Sequence, residues 1–144
     1  MGKPMTHEER EHYLADRHVG MLSVARTGKA PLVVPIWYDY EPGGELWVMT
    51  PRDSAKYKLL DREHCFSLCA QTESWPYRYV SVSGPITSVK PRDETTVRSL
   101  VERYIATSKV ERFVEVVAEV DFLIIRMRPE EWLTSDVSTD DYLA

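Results

Sequence analysis

A chain of 144 residues and 16.7 kDa, 43% hydrophobic and 28% charged, has the composition of one globular domain, which excludes disordered and fibrous classes. Eighteen Lys and Arg against twenty-three Asp and Glu leave a net charge of −5, which argues against duplex DNA as the main partner because phosphate neutralisation needs surplus cations. No apolar run reaches the roughly 20 residues of a membrane helix, and the opening MGKPMTHEEREHYL is too polar for a signal-peptide core. The expectation is a cytoplasmic protein with no membrane span, no nucleic-acid partner and a small-molecule ligand.

Thr6 followed by Glu9 forms a capping box, and Glu8, Glu9 and Glu11 suit the positive end of a helix. A helix is therefore predicted up to residue 16, with Tyr13 and Leu14 facing inward. Residues 18–26 (HVGMLSVAR) read as a strand, Thr27-Gly28-Lys29 as a tight turn, and residues 30–40 (APLVVPIWYDY) as a second strand. Pro35 cannot donate to a ladder, so that strand needs an edge or a bulge there. After the turn Glu41-Pro42-Gly43-Gly44, residues 45–50 (ELWVMT) form a third strand. Residues 51–62 (PRDSAKYKLLDR) read as a short helix with Thr50 or Asp53 as cap.

A fourth strand is predicted over residues 64–71. It carries both cysteines, Cys65 and Cys69, about 13 Å apart in extended chain and so too far to bridge. They read as small apolar residues on one face of a core strand. A loop with Trp75-Pro76 leads to a fifth strand over residues 77–89, bent at Gly84-Pro85. Helices follow over 91–106 and 109–120, then a last strand over 121–128 and a polar tail over 134–144. The chain is thus mainly β with peripheral helices: one domain over residues 1–144, a helix to residue 17, and a small six-stranded antiparallel barrel over 18–133. Leu46 to Met49, and Val33, Val34, Ile36 and Trp37, are apolar on both faces of their strands. The face away from the barrel interior needs a helix, a second subunit or a flat ligand to cover it.

HEEREH at residues 7–12 fits neither HExxH nor HxxEH, and His7 and His12 do not share a helix face, so a solvated helix end is expected. The sequence has no GxGxxG, GxxxxGK[ST] or GxSxG, which closes the usual phosphate-loop and hydrolase-elbow routes. The segment WVMTPRDSAKYKLLDR, residues 47–62, stands out. Arg52, Lys56 and Lys58 surround the start of a helix, beside the Ser54 hydroxyl. A helix N-terminus with a lysine and a hydroxyl suits a phosphate. The competing reading is a surface helix balanced by Asp53 and Asp61.

Thr50, Ser54, Lys56 and Leu60 after an aromatic-rich strand, with VVPIWYDY on the strand before, resemble the pyridoxamine-phosphate-oxidase-like flavin-binding split-barrel family. The similarity extends to residues 19–25, 77–84 and 122–129. It implies a Greek-key split β-barrel and a homodimer with a cofactor between subunits. In that reading Ser54 and Lys56 hold the cofactor phosphate, and Val34, Pro35, Ile36 and Trp37 line its ring. Met49 and Thr50 flank the ring or its chain, and Pro51 and Ala55 belong to the same segment. Arg52 and Lys58 join this set on charge and position alone. Tyr77, Arg78 and Tyr79 sit where a long strand can wall the groove, from this subunit or its neighbour. The alternative for them is an ordinary solvated strand.

The sequence departs from true pyridoxamine phosphate oxidases. Trp37-Tyr38-Asp39 supplies no basic residue, and residues 135–144 are acidic where an Arg-x-His segment stands in the family. Vitamin B6 oxidation is therefore not expected. The short chain with PIWYDY, TPRDSAK and PYRYV looks more like the actinobacterial branch that binds the deazaflavin coenzyme F420. The implied activity is F420-dependent reduction of a small conjugated or quinonoid acceptor, with Trp37, Trp75 or Tyr79 walling the acceptor site. FMN is the alternative cofactor. A non-catalytic flavin, haem or tetrapyrrole carrier, with His18 or His64 as haem ligand, is the alternative of another class.

Overall fold

Inward and outward side chains alternate along the strands and build a barrel wall. The computed structural model describes residues 2–139. The elements run α1 (His7–Ala15), β1 (Gly20–Arg26), β2 (Lys29–Ile36), β3 (Tyr38–Tyr40), β4 (Leu46–Pro51), α2 (Ala55–Glu63), β5 (Cys65–Gln71), β6 (Arg78–Pro91), α3 (Glu94–Tyr104), α4 (Val110–Val117), β7 (Phe122–Met127) and β8 (Glu131–Asp136). Every strand pairing is antiparallel. The predicted second strand changes partner at Trp37: Ile36 pairs with Gly20 of β1, and Tyr38 with Val48 of β4. With β2 and β3 taken as one strand, the path β2-β1-β5-β6-β7-β4-β3 returns on itself. Six strands thus make the expected split barrel, and the split lies at Trp37.

Register decides which residues face the interior. Val34, Leu22, Leu68, Val82 and Trp132 form one inward row across five strands, and Pro35, Met21, Cys69, Ser81 and Leu133 the adjacent outward row. Leu14, Leu22, Leu46, Leu60, Leu68 and Ile125 are fully buried, each contributing about 1.5–3 kcal/mol. Helix α1 begins at the Thr6 cap, which accepts the Glu9 amide, and buries Tyr13 and Leu14 as expected. Pro35 lies on β2, which among the described residues is paired on one side only, by β1, the edge position that a proline tolerates. β6 changes partners at Gly84, where a Cβ would lie 1.7 Å from the Arg128 carbonyl oxygen; only glycine permits that crossing.

Two expectations are corrected. The cysteines do not face the core. Phe66, Leu68 and Ala70 do, so the odd positions of β5 point outward, leaving Cys65 exposed and Cys69 half-buried. The expected polar tail does not begin at residue 134, because Thr134 to Asp136 complete β8, which pairs with Val80, Tyr79 and Arg78 of β6. Backbone bonding along a strand is indifferent to side-chain polarity, so a polar segment can extend a sheet. Residues 140–144 of that tail lie outside the described residues.

The two halves of the barrel wall are covered differently. Trp47 and Ile124 on the outer face of β4 and β7 pack against Leu100 of α3. Val33, Met21 and Leu133 on the other half remain 54%, 37% and 64% exposed. Among the described residues no helix is long and apolar enough to cross a membrane.

Candidate functional site

Strand β4 ends and helix α2 begins in a five-residue corner built around Ser54. Pro51 is the last residue of β4, paired with Phe122 of β7, so the helix starts at Ala55 rather than at residue 51. The cap is Ser54, neither Thr50 nor Asp53. Its hydroxyl accepts the Tyr57 amide at 3.1 Å and donates to the Pro51 carbonyl at 2.8 Å, with the buried Thr50 hydroxyl 3.1 Å away. A hydroxyl has one proton and two acceptor positions. Ser54 therefore organises the corner and has no free proton for a ligand in this arrangement. The next amides, those of Ala55 and Lys56, belong to the first turn, which an α-helix leaves without intrahelical acceptors.

The three cations of the corner are not equivalent. Arg52 donates to Asp121 Oδ2 at 2.8 Å. Lys58 is exposed, and neither it nor Lys56 forms an ion pair among the described residues. Lys56 is half-buried, and burial pushes its ammonium below the ordinary lysine range. A half-buried ammonium with no ion pair among the described residues, in the first turn of a helix, has the chemistry to suit an anion.

Next to this corner is an apolar cleft of about 440 Å3. It is lined by Pro35, Ile36 and Trp37, by Met49 of β4 and Phe122 of β7, and by Phe113 and Val117 of α4, with Val19 and Leu100 completing it. None of these side chains is charged. Met49 precedes Thr50 on β4, and Phe122 pairs with Pro51, so cleft and corner are neighbours along the backbone of β4, though no corner residue lines the cleft. An uncharged ring and an anionic arm are the two halves of a ligand that this juxtaposition fits. Trp37 is itself held in a stack, 4.8 Å from Tyr104 at 6° and 5.4 Å from Phe113 at 32°.

The structure brings Pro35, Ile36, Trp37 and Met49 into this cleft and Thr50, Pro51, Ser54, Ala55 and Lys56 into the adjoining corner. Val34 is in neither; its side chain packs on the barrel core, leaving only its backbone for a ligand. Arg78 and Tyr79 lie on opposite faces of β6. Arg78 sits over the Tyr13 ring at 5.0 Å, while Tyr79 shares the outward row with Gln71 and Ser135. Tyr79 pairs six residues along β5 from Cys65, about 20 Å away by strand rise. The exposed Trp75 is edge-on to Tyr77 at 5.2 Å and, like Tyr79, is not among the cleft residues.

Sequence reasoning missed Val19, Leu100, Phe113, Val117 and Phe122. The signal for α4 was present, since Val110, Phe113, Val114 and Val117 recur at helical spacing. Periodicity cannot say which sheet such a face covers. His18 stacks on Tyr13 at 4.5 Å, and burial lowers its imidazole pKa. His64 is the left-handed C-cap of α2, at φ 60°. His7 pairs with the mostly buried Glu11 and His12 with the exposed Glu8, and no metal-ligand cluster occurs among the described residues.

Two other hollows have comparable volume. One, of about 540 Å3, lies over Ser23, Ser67 and Ser83 and is edged by Glu130 and Glu131. The other, of about 560 Å3, is lined by Asp39, Glu41, Glu45 and Arg126. Their carboxylates oppose a polyanion.

The family whose sequence profile matches the chain, over residues 6–133, is described as pyridoxamine 5'-phosphate oxidase. No curated protein sequence matches. Among solved structures, an F420 reductase superposes with a TM-score of 0.68 at 22% identity, covering 85% of this chain and 94% of the other. A conserved hypothetical protein from Mycobacterium tuberculosis gives 0.72 at 20% identity, covering 92% and 85%. An FAD-binding protein from Mesorhizobium loti gives 0.64 at 17%, covering 93% and 96%. At these identities the likeness is one of fold.

Proposed function

Because this chain belongs to the pyridoxamine 5'-phosphate oxidase family, we propose that it is an oxidoreductase that uses reduced coenzyme F420 to hydrogenate a small conjugated or quinonoid acceptor, with FMN as the alternative cofactor. The observation that carries this reading is Lys56, half-buried and without an ion pair among the described residues, on the helix that follows the strand whose Met49 lines an uncharged cleft. When bound, such a cofactor supplies hydride chemistry, so the protein needs no covalent nucleophile of its own.

In this reading the Lys56 ammonium and the first-turn amides of α2 hold the phosphate, and Ser54 keeps those amides in place. Lys58 adds a second cation on the same helix for a further acidic tail. Pro35 and Trp37 with Met49 and Phe122 bound the ring, and their apolar surfaces exclude water from it. A second copy of the chain, seated on the exposed outer face of β2, β1 and β8, would roof the cleft at Val19 and Pro35 and make the homodimer. The phosphate clamp serves FMN and F420 alike; the presence of an F420 reductase among the structural neighbours favours F420 as first choice.

The test is parallel titration of wild type and Lys56→Ala with F420 and with FMN. The variant is expected to bind tens-of-fold more weakly, matching the about 1.5–3 kcal/mol of a charge-assisted hydrogen bond. Anaerobic mixing with F420H2 and a quinone series then reads turnover at the deazaflavin absorbance. Equal affinity of wild type and variant would sink the phosphate assignment. Binding without turnover with any acceptor would make the protein a carrier.

A further inference from the structure

The split at Trp37 leaves strand β3 with one edge unpaired among the described residues, and a side chain from a distant helix closes it. Tyr38 N–H donates to the Tyr104 hydroxyl at 3.1 Å, and that hydroxyl lies 3.0 Å from the Tyr38 carbonyl oxygen and 2.5 Å from that of His18. The amide and carbonyl of one strand residue point to the same side, so this is the side on which β3 has no partner strand. The phenol has one proton. It goes to the nearer His18 carbonyl, and the hydroxyl takes the Tyr38 amide in return. One oxygen thus stitches β3 to the segment entering β1. The ring of Tyr104 meanwhile lies flat on Trp37 at 4.8 Å and 6°.

We propose that Tyr104 is a positioning residue for the cleft: its hydroxyl fixes the backbone beside Trp37 and its ring fixes the indole plane, so that Trp37 presents a rigid wall to the ring of the ligand. The inference rests on the cofactor reading above. Tyr104 is not among the residues lining the cleft; it acts on Trp37 through its ring and through the Tyr38 backbone, and its bond to the His18 carbonyl ties the same oxygen to the segment before Val19. Trp37 has Phe113 as its other aromatic neighbour, which leaves Tyr104 as the residue that holds both its ring and its adjoining backbone.

The test is a double-mutant cycle of Tyr104→Phe with Trp37→Ala, or with Trp37→Leu if the alanine variant does not fold. The readouts are cofactor Kd and the near-ultraviolet circular dichroism of cofactor-free protein. Tyr104→Phe keeps the stacked ring and loses the stitch. It is expected to raise the Kd of F420 or FMN about tenfold in the wild-type background and less than twofold when Trp37 is absent. A purely structural role would raise Kd equally in both backgrounds, and that result overturns the proposal. In cofactor-free protein the near-ultraviolet band removed by Trp37→Leu should also weaken in Tyr104→Phe, and an unchanged band overturns the proposal as well. A wild type that binds neither cofactor defeats the cofactor reading and the ring-binding role together. The band then separately decides whether Tyr104 holds Trp37.

Discussion

Arg52 and Asp121 are joined twice: the guanidinium Nε donates to Asp121 Oδ2 at 2.8 Å, and the Arg52 amide donates to the Asp121 carbonyl at 2.9 Å. The side chains are 53% and 67% exposed, so water screens the pair and it contributes at most about 1 kcal/mol. Its effect is instead to turn a cation away from the corner. Arg52→Ala is accordingly expected to change cofactor Kd by less than about twofold and the unfolding free energy by under about 1 kcal/mol. A tenfold loss of affinity would show that Arg52 leaves Asp121 to reach the ligand. Asp121→Asn should tighten binding modestly, by freeing the guanidinium.

Lys56 carries the pH dependence. Burial lowers its pKa from 10.5, so the folded protein loses this proton before the unfolded chain does. The unfolded chain therefore binds more protons just below pH 10.5, and the contribution of Lys56 to stability rises with pH through that window. Affinity for a phosphate-bearing cofactor has the opposite sign, because only the ammonium attracts the anion. Kd is expected to increase with pH, with its midpoint below the ordinary lysine value. Lys56→Arg should abolish that midpoint within the accessible range. A flat Kd profile up to pH 10.5 in wild type would contradict the assignment.

Ser54 separates capping from ligand binding. Ser54→Ala removes the acceptor of the Tyr57 amide and is expected to lower stability by about 1 kcal/mol. Ser54→Asp retains a capping oxygen and places a carboxylate where the phosphate arm is proposed to lie. It should preserve the melting temperature while weakening cofactor binding at least tenfold. If Ser54→Asp binds as well as wild type, the anion does not approach this helix end.

The barrel was legible in the sequence because alternation, turn residues and strand order agree locally. The Thr6 capping box, the meander through residue 50 and the bend at Gly84-Pro85 all lie where expected. The strand-to-helix corner over residues 49–56, which carries the proposed phosphate site, is contained in one segment and so could be singled out for the same reason. Ser54 shows where that stops. A serine near a lysine reads equally as ligand or cap, and only the positions of Tyr57 N and Pro51 O decide. The cleft walls from α4, and Tyr104, lie 60 to 80 residues away from Trp37. Their placement depends on how helices cross the outer face of the barrel, which no local pattern encodes. Cys65 and Cys69 were misread because strands apolar by composition do not reveal which parity faces inward; Leu68 and Ala70 fix it.

The uncovered half of the barrel wall makes the last prediction. Its outward rows expose Val33 at 54%, Met21 at 37% and Leu133 at 64%, with Val19 at 52% beside the cleft. Trp47 and Ile124 on the other half are instead sealed by Leu100 of α3. Apolar side chains exposed across β2, β1 and β8 among the described residues suit a second copy of the same face, since a two-fold interface places one patch against itself. Light scattering during gel filtration is expected to return twice the 16.7 kDa chain mass. Met21→Glu combined with Leu133→Glu should return the single-chain mass with the far-ultraviolet spectrum unchanged, because both side chains point away from the core. The monomer should also bind cofactor more weakly, since Val19 and Pro35 would lose the roof that a partner provides. A wild type of single-chain mass would leave this face without its proposed partner. A dimeric double variant would place the interface elsewhere.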